Sequence, residues 1–144
     1  MILTPHILIG AAIGAQTSNV WVAFLLGLIS HYLVDAFPHW EYLAEVNISD
    51  LNSIKKILLD LVIGIILVLV LVWSNPNIVI ILMAVIGSIL PDFLHGIYSS
   101  FKIKWLKPHF LMHHKIHAFK TLSFWKGMPI AIIVSLAAIW VLIL

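Results

Sequence analysis

ILLDLVIGIILVLVLVW, residues 57–73, carries one charged side chain in seventeen positions. It lacks the strict alternation of a half-buried strand and the polar stripe of a surface helix. As a helix rising about 1.5 Å per residue it is roughly 26 Å long, close to the thickness of a hydrocarbon core. Outward from it, runs 2–15, 20–37, 78–97 and 128–144 are also apolar apart from a few His, Asp, Thr and Ser. The first is the shortest and has Pro5 near its start. It fits a tight span, a re-entrant arm or an interfacial helix.

Composition points the same way. The chain is 62% hydrophobic and 10% charged, against about 45–50% and 25% in soluble domains, too much oil for a water-soluble fold of this size to cover. No run shows the period of two that a closed barrel requires. The sequence therefore predicts an all-α integral membrane bundle: one domain, residues 1–144, with four to five membrane helices and a short interfacial His-rich helix. The first run lacks a basic flank before it and is expected to stay in the mature chain. With no cysteine, disulfides and thiolate metal sites are excluded.

The eight lysines fall at Lys55, Lys56 and in the stretch 102–126, whereas the connectors 16–19 and 74–77 are uncharged. Basic connectors are retained on the cytoplasmic side. That rule predicts residues 38–56 and 99–127 on the cytoplasmic face of the cell membrane, and it brings all eight histidines and all six acids to the same side.

Three elements carry chemistry. In 31–39, His31-x3-Asp35-x3-His39, the first two side chains stack on one helical face, and Pro38 should end the helix so that His39 bends back. Imidazole and carboxylate at i, i+4 suit Zn²⁺ or a similar ion. A carboxylate pairing with lysine, beside histidines at head-group level, is the structural alternative. The second element is Leu90-Pro91-Asp92-Phe93-Leu94-His95, with Asp92 and His95 at i, i+3 as further metal candidates. The third places His109, His113 and His117 on one stripe of a short helix opened by Pro108. The stripe could chelate a metal or move protons. Its Lys104, Lys107, Lys115 and Lys120 suit an anionic lipid or substrate, or a bilayer surface.

His6 would project from the first turn of a helix capped by Thr4. Asp60 fits a ligand or catalytic group, a partner that orients a histidine, or the counter-charge of Lys56. The aromatic residues Tyr32, Trp40, Tyr42, Tyr98, Trp105 and Trp125 read as an interfacial belt. Gly10-x3-Gly14 supports close helix packing or a homo-oligomer.

Four patches, Thr4-Pro5-His6-x3-Gly10-Ala11-Ala12, Gly27-x3-His31-x3-Asp35-x3-His39, Leu90-Pro91-Asp92-x2-His95 and His113-His114-Lys115-Ile116-His117, resemble small bacterial and archaeal proteins described as membrane-bound metal-dependent hydrolases. A more distant likeness is to the all-helical zinc-dependent phospholipase C and single-strand nuclease superfamily. The resemblance implies His6, His31, Asp35, His39, Asp92, His113 and His117 as ligands or catalytic groups. The last patch lacks the group's Arg and Thr, and no second acid follows Asp92.

The expected function is hydrolysis of a lipid or polyprenyl phosphoester at the cytoplasmic head-group plane. A divalent metal would assist, Zn first among Zn, Mn, Mg and Fe. His31, Asp35, His39 and Asp92 lead the ligand set, with His6 and His95 beside them, and His113, His117 and Asp60 are the candidate catalytic groups. Lys104, Lys107 and Lys115 would bind substrate, and no nucleic-acid partner is expected. The alternative is a non-enzymatic metal-binding or transport component, or a small helical subunit of a larger complex.

Overall fold

A computed structural model describes residues 2–42, 50–117 and 122–144. The described residues are all-helical, without strands. In chain order they form α1 (Leu3–Ala15), α2 (Val20–Asp35), α3 (Leu51–Val72), α4 (Ile78–Phe101), α5 (Lys107–His117) and α6 (Phe124–Ile143), with a 3₁₀ turn at Lys104–Leu106 before α5.

α1 is the hub of the bundle, packed against α2, α3, α4 and α6. A helix that is apolar all round needs cover on every side, and from Pro5 to Ala12 every residue except Ile9 is buried. The core forms around Ile7, Leu8 and Ala11 of α1, with Val68 and Val72 of α3 and Ile81 and Val85 of α4.

Thr4 does not cap this helix. The helix starts at Leu3 and its N-cap residue, Ile2, supplies no side-chain bond. Asp60 of α3 does the capping across the bundle: its carboxylate accepts from Leu3 N at 2.5 Å, Thr4 N at 3.2 Å and Thr4 Oγ1 at 2.5 Å. Orphan amides of a first turn need such an acceptor, and a carboxylate there also complements the positive end of the helix dipole. Local capping is ordinary elsewhere, with Asn19 opening α2 and Asp50 opening α3.

α2 and α4 cross at two glycines. A Cβ on Gly27 would collide with the Ala84 carbonyl, and one on Gly87 with the Phe24 carbonyl. Only bare Cα positions allow this approach. One turn beyond the crossing His31 lies level with Ser88, and α4 runs on to Phe101, where Lys102 adopts a left-handed conformation (φ 52°, ψ 37°) and turns the chain back toward α5.

α4 and α6 are long and apolar enough to cross a membrane. α1 and α2 are shorter, at 13 and 16 residues. α3 has 22 residues, but Lys55, Lys56 and Asp60 lie in its first ten.

Candidate metal centre

His31 and Asp35 stack one turn apart on α2, with Nε2 and Oδ2 separated by 3.0 Å. α4 adds Asp92, whose Oδ1 is 3.6 Å from His31 Nε2. α5 folds back along the end of α4 and brings His113, whose Nε2 lies 3.0 Å from His31 Nε2, 3.5 Å from Asp35 Oδ2 and 3.4 Å from Asp92 Oδ1. All four donors lie within 4.8 Å of one another. In a tetrahedron with metal–ligand bonds of about 2.1 Å the donors are about 3.4 Å apart. Five of the six pairs therefore already stand near that spacing.

The chemistry of the donors fits a cation. The Ser88 carbonyl can only accept, so the 2.7 Å contact makes His31 Nδ1 the donor. In the neutral ring Nε2 then turns a lone pair toward the centre. Two carboxylates face the same point with acceptors alone. Such a convergence is stabilised by a cation, either protons on the imidazoles or a metal ion. Water has little access, since His31, Asp35 and His113 are 0%, 2% and 2% exposed. Asp92 marks the open side, its side chain being 25% exposed.

His6 stands behind Asp35. Its Nε2 lies 3.1 Å from Oδ1, the oxygen turned away from His31, and its ring stacks on that of His31 with centroids 4.3 Å apart. The two groups form a buried pair, and the other ring nitrogen, Nδ1, is without a hydrogen-bond partner among the described residues. One carboxylate thus has imidazoles on both its oxygens.

Other candidates from the sequence are placed elsewhere. His39 bonds the Phe37 carbonyl through Nδ1 at 2.7 Å and Glu41 through Nε2 at 2.9 Å. After Pro38 the chain leaves the helix axis, so its ring turns into this local pocket instead of the centre. Asp60 is engaged at the start of α1. His95 reaches the rim, its ring 4.8 Å from that of His113 and stacked on Phe110 at 4.7 Å. The side chain of His117 lies outside the described residues. Lys104, Lys107 and Lys115 are exposed.

Two contributors escape a reading that scans only for ligands. Ser88 acts through its backbone, and its sole sequence signal is its place one turn before Asp92 on the same face. Tyr32, grouped above with the interfacial belt, shares a 3.1 Å hydrogen bond with His109 Nε2, and its ring meets that of His31 edge-on at 5.5 Å. Burial, followed by the neighbouring His113 and His31, holds the His109 imidazole below its ordinary pKa. Beside Asp60, burial, then the charge of that carboxylate and a hydrogen bond to it, push the Tyr42 hydroxyl well up.

Comparison of the chain with protein-family models, with curated proteins and with solved structures finds no match.

Proposed function

We propose that the chain is a membrane-embedded, metal-dependent hydrolase of a lipid phosphoester, with its centre at the cytoplasmic head-group plane. The observation that carries this reading is the convergence of His31, Asp35, Asp92 and His113 at tetrahedral spacing. In it α1 to α4 and α6 all lie in the bilayer. Support comes from the outer faces of α2 and α3, where Leu25, Ile29, Leu33, Leu59, Ile66 and Val70 are all more than half exposed. In water that surface would be a severe aggregation liability, and in hydrocarbon it costs nothing. The centre collects at the end where α2 and α4 finish and α1 and α3 begin, the end flanked by the lysine-bearing connectors.

A divalent ion held by the four side chains would supply Lewis-acid activation of a phosphoryl group and of the attacking water. The protein's own part is positional. Ser88 fixes the His31 tautomer, and His6 backs Asp35. Asp92 faces the opening through which a head group would enter. Tyr32 with His109 offers a route for a proton at the rim. The buried polar groups include His6, Ser30, His31, Ser88 and His113, all in the half of the bundle near the centre, which favours chemistry at one face over conduction across the bilayer.

The test is elemental analysis of protein purified in nanodiscs, together with hydrolysis of a panel of lipid and polyprenyl phosphates with and without added Zn, Mn or Mg. One bound ion and metal-stimulated phosphate release are expected. Metal-free protein with no turnover would overturn the reading.

A further inference from the structure

α5 has two working faces, and the metal centre uses one of them. His113 is buried, His109 beside it is partly buried and bonded to Tyr32, and Leu106 just before them is buried. On the opposite side Lys107, Leu111 and Lys115 follow at i, i+4 and i+8, and all three are exposed. Leu111 is 54%, Met112 46% and Trp105, in the turn before the helix, 73% exposed, and Lys104 in the same turn is exposed as well. A purely cytosolic helix would have no use for that apolar set. A purely buried one could not carry the lysines. Only the head-group plane solvates both, with apolar groups dipping among the chains and ammonium groups on phosphates.

The charge complement is one-sided. From Phe93 to Leu144 the chain has six lysines and no acid, so nothing in that stretch of the sequence neutralises this face from within. We propose that the outer face of α5 docks on the head groups of anionic phospholipids, and that this holds the helix where His113 closes the centre. The proposal rests on the membrane reading above. The left-handed Lys102, with its ammonium 5.5 Å over the Tyr98 ring, sets the turn that lays α5 back along α4. By linkage, whatever stabilises the docked α5 also favours the arrangement of His113 that a metal requires.

The absence of cysteine permits a clean test. Leu111→Cys labelled with bimane is placed in nanodiscs containing equal fractions of phosphatidylcholine and phosphatidylglycerol, with the bromines on the acyl chains of one lipid or the other. Docking predicts quenching by brominated phosphatidylglycerol roughly threefold or more above that by brominated phosphatidylcholine, since each lysine near the surface enriches anionic lipid severalfold. The contrast should fall to about one with Lys107→Gln and Lys115→Gln, or near 1 M salt, where the screening length is about 3 Å. Equal quenching by both lipids, or none by either, would overturn the proposal. If the same preparations carry no metal, the hydrolase reading fails while the quenching contrast still decides this one.

Discussion

Asp35 and Asp60 are held at the same end of the bundle, yet their surroundings differ in kind. Asp60 is ringed by donors: two amides at the start of α1, the Thr4 hydroxyl and the Tyr42 hydroxyl. Asp35 is ringed by imidazoles, with His6 against one oxygen and His31 and His113 against the other. A carboxylate supplied with fixed donors is satisfied as it stands and works as structure. One that shares its space with three imidazoles and lies near a second carboxylate is in an arrangement that protons on the rings or a metal ion would stabilise, and that makes it a candidate site.

The sharpest way to break the comparison is to remove each charge alone. Asp35→Asn keeps the volume and should weaken metal binding by more than about a hundredfold, beyond the 10–100-fold typical of residues that merely support ligands. Chelator competition measures it. If Asp60→Asn gave the same loss and Asp35→Asn none, the two carboxylates would exchange roles.

Backbone approach comes next. Gly27→Ala puts a methyl into the Ala84 carbonyl, and overpacking of this sort costs about 1–3 kcal/mol. The upper part of that range is expected, because a carbonyl in α4 cannot rotate aside as a side chain can. The variant should lower the thermal midpoint in nanodiscs and weaken metal binding, since His31 on α2 would be moved from Ser88 and Asp92 on α4. Unchanged metal affinity would mean that the α2–α4 crossing does not position the centre.

Asp60→Asn should cost less. The amide oxygen still accepts from one amide of α1, so the loss is about 2 kcal/mol, near that of one charged hydrogen bond. Metal content should stay stoichiometric once the variant is folded. Loss of metal from a folded Asp60→Asn protein would show that the first turn of α1, with His6, controls the centre more closely than the geometry indicates.

These contrasts also mark what the sequence could disclose. The helical class and the pairing of His31 with Asp35 follow from short-range rules of period and spacing. Asp92 and His113 were legible as candidates, but their meeting depends on the glycine crossing and on the turn at Lys102, which no local pattern encodes. The opposite fault befell His39 and Asp60. Both lie at tempting positions, and both are claimed by partners that only the folded chain supplies: Glu41 and the Phe37 carbonyl for one, the start of α1 for the other. Helix length left the shortest run open between a tight span, an arm and an interfacial helix, and only its contacts with four other helices show it to be the central one.

The smallest expected effect concerns pH at the rim. His109 has its pKa held below the ordinary value of about 6.5, chiefly by burial. A histidine with a depressed folded-state pKa contributes stability that is fully present above the unfolded value and is lost as pH falls toward the folded one. Protonation also removes the lone pair with which Nε2 can accept from the Tyr32 hydroxyl. Wild type should therefore lose thermal stability between pH 7.5 and pH 5.5 by more than His109→Gln does, with both proteins compared in the same nanodiscs. The side chain is only partly buried, so the difference should be a small one, a few degrees at most by the usual scale of such shifts. Parallel curves for the two proteins would assign the acid sensitivity to the Asp35 side of the molecule and leave His109 a packing residue.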